Sequence, residues 1–436
     1  MSSENNKIEN YISAVCELVK NKDVHYDIAL ELKDHIQTLK EEYIDSGLSE
    51  EDATEKALSH MGDPDLVGKQ LDKTHKAKIG WGVLIPLLVF SLFGLVTMYF
   101  IQSKGAVAEA DSIKMFQKNF IFYIIGIASM IGLYFFDYRK ILPYSKYIYV
   151  GSVIISFLQI ATGVHVYGRP YFHFGFLTID LMPFTLVLFL ISLSGILPQC
   201  NWKNPYKFLL FLGIIILPQI ILLMSKSSTL YIYIVACVTL MIGSKAKIYQ
   251  VLSYVSIHFM CLWALFLSEP YRFGRLTIFL DPNRDPNGSG WQYLQVEKIM
   301  DSTSVLGNGF NLKPRTLPGI HTDFIFTYIV YTFGWITAVI IMLLVIAFIL
   351  KMIKVAKLTK NSYGKLLVSA FISILAAEFL LNIGMNLGIS PIINVGLPFI
   401  SFGGSQLIIN MIIAGLILSV YRRKDISHNI LISEQF

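Results

Sequence analysis

Leu317-Pro318-Gly319-Ile320-His321-Thr322-Asp323-Phe324-Ile325-Phe326-Thr327-Tyr328-Ile329-Val330 carries the chain from a polar segment into a long apolar run. Upstream, residues 269–323 are rich in Asp, Asn, Gly, Pro and Gln. Downstream, the chain meets no charged side chain until Lys351. A run of that length and composition crosses a bilayer as a helix. Asp323 therefore stands at the lip of a membrane span, where desolvating a carboxylate is costly and a functional reason is the default. The residues alone leave a second reading open, a carboxylate that caps the helix N-terminus and suits its dipole.

Nine further apolar runs surround that junction. With 324–352 they lie near 81–103, 119–137, 145–164, 183–198, 206–224, 227–244, 248–268, 365–387 and 400–421. The 436 residues are 54% hydrophobic and 15% charged, and mean hydropathy is +0.57. A soluble domain carries about a quarter charged residues, so an all-α polytopic membrane protein of about ten helices is expected. Lys and Arg flank alternate loops: Lys76 and Lys78; Arg139, Lys140 and Lys146; Lys203 and Lys207; Lys245 and Lys247; Lys351 through Lys365; Arg422, Arg423 and Lys424. The positive-inside rule then places both termini in the cytoplasm and residues 269–323 outside. That outer segment still holds Arg272, Arg275 and Arg284, a departure from the rule that suggests an anionic ligand.

Residues 1–78 read as a separate cytoplasmic helical domain and 79–436 as the membrane domain. The first 78 residues contain ten Lys, no Arg and seventeen acids, a net of −7 against +6 for the whole chain, so the remainder carries about +13. An acidic head argues against nucleic acid as a partner. Tyr11, Val15, Leu18 and Val19 form one helical stripe, and Ile28, Leu32, Ile36 and Leu39 another. Ser49-Glu50-Glu51-Asp52 resembles a capping box, and Gly62 is a helix stop. His25, His35 and His60 read as surface or cap residues. Cys16, Cys200, Cys237 and Cys261 show neither metal-ligand spacing nor a disulfide pattern. The head, with Ala57 through Pro64, resembles the permease-prefix (HAAS-type) domain, and a regulatory or docking role is expected of it.

The membrane domain carries spaced motifs: Arg275-Leu276, Phe279-Leu280-Asp281-Pro282, Asp285-Pro286 and Gly290-Trp291-Gln292 with Gln295; then Leu317-Pro318, His321-Thr322-Asp323 and Gly334; then Asn382-Ile383-Gly384-Met385, Leu397-Pro398-Phe399 and Ser401-Phe402-Gly403-Gly404-Ser405 with Asn410. A further block is Phe116-Gln117-Lys118 and Asp137-Tyr138-Arg139. In this order they resemble the SEDS family (shape, elongation, division and sporulation), which includes RodA, FtsW and SpoVE. The resemblance implies a peptidoglycan glycosyltransferase that polymerises lipid II, an undecaprenyl-pyrophosphate-linked disaccharide peptide, at the outer face of the bacterial cytoplasmic membrane. It implies a class B penicillin-binding protein as partner, membrane lipid around the spans, no resident cofactor beyond a divalent cation (Mg or Mn), and no protein metal site.

In that resemblance Asp323 is the essential acid, a general base for the acceptor 4-hydroxyl. Lys118, Arg169 and Arg275 are candidates for the pyrophosphate, whose charge grows as it leaves. Gln292, Gln295, His321, Thr322, Asn382 and Ser401 are the remaining expected substrate contacts. Plainer readings stand beside these. His321 can shape the loop, Asp281 and Asp285 precede prolines as turn residues do, and the small residues of 401–405 suit close helix packing. The sequence also departs from the family. Asp180 through Leu186 lack its Glu and Lys, Met224-Ser225-Lys226-Ser227-Ser228-Thr229 stands at its P-D-L-G-T, and Asn308 replaces a Lys. Gly319 replaces a Glu, Tyr331-Thr332 an acidic pair, and Asn394-Val395-Gly396 its G-x-P. A precursor flippase and a non-catalytic scaffold for a penicillin-binding protein are the alternatives.

Overall fold

The computed structural model describes residues 2–74, 76, 80–106, 114–166, 169–174, 177–225, 228–268, 270–310, 312 and 317–426. The chain forms two compact units. One comprises Met1–Ile79 together with Thr359–Asn361 and Tyr421–Phe436, and the other Gly80–Leu358 with Ser362–Val420.

The first unit is built on four helices, α1 (Ser2–Leu18), α2 (His25–Asp45), α3 (Glu50–Met61) and α4 (Pro64–Thr74). Ile8, Ile12 and Val15 on α1 meet Ile28, Leu32 and Ile36 on α2, each set spaced by three or four residues, and bury a shared core. Ser49 caps α3 by accepting the Asp52 N–H at 3.2 Å. Lys40, 7% exposed, donates to Glu50 at 3.0 Å, and that hydrogen bond and charge hold the Glu50 carboxyl below its ordinary range. His25 binds the Val19 carbonyl and His60 the Tyr43 hydroxyl. Among the described residues no group of three or more His, Cys, Asp or Glu gathers as metal ligands.

This core is not made by residues 1–78 alone. Ile426, 2% exposed, joins it. Asp23 pairs with Arg422 and Arg423, each at 3.2 Å, and the Arg423 side chain is 2% exposed. Asp23→Ala removes a carboxylate shared by two guanidinium groups and is expected to lower the stability of this unit. Thermal unfolding of the detergent-purified chain, followed in this unit by limited proteolysis, reads that loss.

The second unit holds the apolar helices: α5 (Trp81–Ser103), α6 (Met115–Phe135), α7 (Ser145–Thr162), α8 (Met182–Ile196), α9 (Pro205–Met224), α10 (Thr229–Gly243), α11 (Ile248–Ser268), α14 (Ile325–Leu358), α15 (Ser362–Asn386) and α16 (Gly404–Arg422). Among the described residues, eight helical stretches are long and apolar enough to cross a membrane, and α10 and α11 supply two shorter apolar segments. Burial sorts them. The spans at α8 and α15 are 72% buried and α16 is 67% buried, whereas those at α6 and α7 are 22% buried. The former are the core of the bundle and the latter its lipid-facing rim. On α14, Ile336, Ile340, Leu343, Ile346 and Leu350 are exposed while Ala338, Ile341, Val345 and Phe348 are buried. A helix apolar on both faces is what a bundle in lipid requires.

Two features were not expected. Between α7 and α8 the chain forms a small antiparallel sheet, β1 (Val164–Val166), β2 (Arg169–Phe174) and β3 (Leu177–Ile179), in the order β1-β2-β3. Buried Gln159 anchors it, donating to the Pro170 carbonyl at 2.8 Å and to Asp180 at 3.0 Å. The segment before α14 also contains two helices, α12 (Pro270–Leu280) and α13 (Trp291–Asp301).

A break in α14 ties that segment to the bundle. Gly334 has φ 88° and ψ 169° inside the helix. The carbonyls of Tyr331 and Thr332 instead accept the N–H groups of Asn308 and Gly309, at 2.8 and 3.2 Å, and Ile336 N–H turns to the Val305 carbonyl at 3.4 Å. Gly307, at φ +86°, fits because a Cβ there would lie 2.4 Å from the Thr332 oxygen. Gly105 also has a positive φ, +64°, but open space around it. Gly105→Ala should therefore cost only backbone strain of roughly 1–3 kcal/mol. Gly307→Ala, which adds the clash, should lower the melting temperature considerably more. Equal shifts would contradict the threading of 305–309 through the α14 break.

Candidate active site

The His321-Thr322-Asp323 loop is a tight turn. Gly319, at φ +77°, offers its carbonyl to the Thr322 and Phe324 N–H groups, both at 3.0 Å. Leu317, Ile320 and Phe324 are 2–3% exposed, so the apolar members of the turn are sunk in the protein and hold it down. Thr322 and Asp323 face a cavity of about 290 Å3.

Helix α15 grips the turn from behind. Asn382 and Asn386 both donate to the Asp323 backbone carbonyl at 3.0 Å. Asn382 also donates to the Val395 carbonyl at 2.7 Å, and Asn386 accepts the Thr327 hydroxyl at 2.6 Å. Ser401 closes the other side, donating to the Thr322 carbonyl at 2.8 Å while accepting the Leu397 N–H at 2.6 Å. Phe402 N–H binds the His321 carbonyl at 2.8 Å, and the two rings pack with centroids 5.7 Å apart.

The opposing wall is the 394–403 turn and the start of α16. Phe399 has φ +63°, a strained setting for a side-chain-bearing residue that costs on the order of 1–3 kcal/mol. The Tyr123 hydroxyl holds it by binding the Phe399 carbonyl. Gly404 lets α16 lie against the Phe122 ring, 2.5 Å from where a Cβ would be, the close packing expected of the small residues. The polar lining is Thr322, Asp323, Asn394, Ser401, Gln406 and Asn410, with Leu397, Phe399, Phe402 and Leu407 as its apolar part. Among these residues Asp323 is the one ionisable group.

Of the expected site residues, Thr322, Asp323 and Ser401 line the cavity. His321 shapes its turn, and Asn382, 0% exposed with its amide hydrogens on two carbonyls, works from behind the wall. Lys118, Gln292 and Gln295 are not among the residues that line the cavity. Lys118 is exposed on α6, and Gln292 and Gln295 are half-buried on α13. Arg169 lies on β2 and Arg275 on α12, with side chains outside what the structure describes, as are Gly168, Lys226 and Ser227. Asp281 binds Arg284 at 3.3 Å and Asp285 accepts the Ser289 N–H at 2.8 Å, so both are turn residues. Sequence reasoning missed Gln406, Asn394, Asn386 and Glu378. Glu378, Asn382 and Asn386 recur every four residues on α15, a polar stripe that could have exposed Glu378 and Asn386.

The chain has clear relatives. Stage V sporulation protein E of Bacillus subtilis is 27% identical over 352 residues, covering 78% of this chain and 96% of that protein. Peptidoglycan glycosyltransferase RodA of Treponema pallidum is 24% identical over 423 residues, covering 78% and 97%. Among solved structures, a chain of a peptidoglycan synthase complex that coordinates polymerization and crosslinking superposes with a TM-score of 0.68 at 20% identity, over 80% of this chain and 99% of that one. The rod-shape-determining protein RodA of Thermus thermophilus gives 0.59 at 18% identity, over 79% and 97%. These structures share the fold. The FtsW/RodA/SpoVE family, described as cell cycle proteins, matches residues 81–426, and the chain belongs to that family, the SEDS proteins.

Proposed function

We propose that this protein is a peptidoglycan glycosyltransferase that polymerises lipid II into β-1,4-linked glycan at the outer face of the cytoplasmic membrane. The observation that carries the reading is the placement of Asp323 on the cavity wall, in a turn locked from two sides by Asn382, Asn386 and Ser401. Relatives named peptidoglycan glycosyltransferase support the activity. The Asp323 carboxylate takes the proton of the acceptor 4-hydroxyl as that oxygen attacks the donor anomeric carbon. The bond from that carbon to the pyrophosphate breaks, undecaprenyl pyrophosphate leaves, and the configuration inverts. A locked turn keeps the base in register with its proton, which is where positioning gains rate.

The cavity suits the acceptor saccharide, because its lining is hydroxyls, amides and one carboxylate. Pyrophosphate needs cations, and Lys118, Arg169 and Arg275 remain the candidates for it. One carboxylate among amides does not fit a protein-held Mg2+ or Mn2+, and no cluster of acids or histidines gathers elsewhere among the described residues. A class B penicillin-binding protein is the proposed partner, in keeping with the synthase complex that shares the fold. The basic alternate loops put both termini in the cytoplasm, and the N-terminal unit takes a regulatory or docking role.

Purified protein should form glycan strands from lipid II, and Asp323→Asn should lose roughly 100-fold or more of that rate. Equal rates would remove Asp323 as the base. Movement of fluorescent lipid II across vesicles without polymer would favour the flippase. Asn386→Ala should lower kcat roughly ten- to a hundredfold with expression retained, because the turn loses one of its two amide holds. An unchanged kcat would show that the hold does not matter.

A further inference from the structure

Glu378 is an acid inside a membrane span that the reaction above leaves unused. It lies one helical turn before Asn382 on α15 and is 2% exposed. Its Oε1 accepts a hydrogen bond from Gln406 Nε2 at 2.6 Å, and the same nitrogen reaches Asn410 Oδ1 at 3.4 Å. Its Oε2 is buried with no hydrogen-bond partner among the described residues. A buried carboxyl with only amides beside it is expensive in a bilayer interior. Gln406 and Asn410 both line the cavity beside Asp323.

Amide chemistry gives this carboxyl a definite effect. A glutamine side chain has one donating end and one accepting end. Two acceptor oxygens, from Glu378 and Asn410, claim the donating end of Gln406. Its accepting oxygen is left for the occupant of the cavity. We propose that Glu378 is a positioning residue for specificity: it fixes the Gln406 amide so that the cavity wall presents an acceptor to a hydroxyl or acetamido N–H of the bound saccharide. The inference rests on the reading of the cavity as a saccharide site. It assigns Glu378 no part in proton transfer.

Glu378→Gln keeps the shape and removes the preference, since an amide can hold Gln406 either way round. The full-length protein in detergent is measured with lipid II as the probe, once for equilibrium binding and once for polymerisation. Loss of one fixed hydrogen bond should raise Kd and KM about five- to tenfold. The kcat should stay within about twofold and the melting temperature should not fall. The exchange Glu378→Gln with Gln406→Glu puts a carboxylate oxygen on the cavity wall and should recover most of the lost binding. Unchanged binding in Glu378→Gln, a fall in kcat alone, or no recovery in the exchange would each overturn the inference. If wild type binds lipid II but makes no polymer, the glycosyltransferase reading fails while the binding series still decides this one. If wild type neither binds nor polymerises lipid II, both fail.

Discussion

The backbone carbonyl of Asp323 accepts hydrogen bonds from two asparagine side chains of one helix, and the site depends on that grip. A buried amide must find partners within the protein, because leaving its polar atoms unpaired is costly. Asn382 and Asn386 are 0% and 1% exposed, and each side chain is committed to backbone or hydroxyl partners around the turn. Helix α15 itself is among the most buried spans, so its asparagines do not wander. The result is a loop at the end of a span that is tied by hydrogen bonds to the core beneath it. The 394–403 turn is held just as firmly, by Ser401 from the loop side and by Tyr123 at the strained Phe399.

Much of this was legible from residue order alone. Span length and hydropathy located the apolar helices, because lipid leaves a chain few other solutions. The stripes of the N-terminal unit were visible as three- and four-residue spacing. The sheet at Val164–Ile179 was not, since three short strands pinned by one buried Gln159 give no run long enough to read. The break at Gly334 was equally hidden, because the groups that compensate it come from residues 305–309. Ile426 and the Arg422–Asp23–Arg423 cluster join residues about 400 positions apart, which no local pattern reports.

The site was half legible. The motifs named Thr322, Asp323 and Ser401 but not what stands between them and the helix behind. Asn382 was expected to touch substrate and instead holds backbone, while Gln406 and Asn394 reach the cavity. The three basic candidates share no neighbourhood in sequence, and only the assembly of spans decides where a cation stands. The departures from the family take on physical meaning here. Asp180, just ahead of α8, accepts the Met182 N–H at 2.9 Å, and the carbonyls of Tyr331 and Thr332 receive the 308–309 backbone. In the Asp323 turn, Gly319 offers a backbone carbonyl where the family's pattern carries a Glu.

The central claim is that the asparagine grip serves the carboxylate of Asp323 and nothing else in the reaction. A double-mutant cycle in lipid II polymerisation by the purified protein tests it most directly. If Asn386 acts by positioning the base, Asn386→Ala lowers kcat in the wild-type background but costs almost nothing further once Asp323→Asn has removed the base. Additive losses in the two backgrounds would contradict the account and give Asn386 a role of its own.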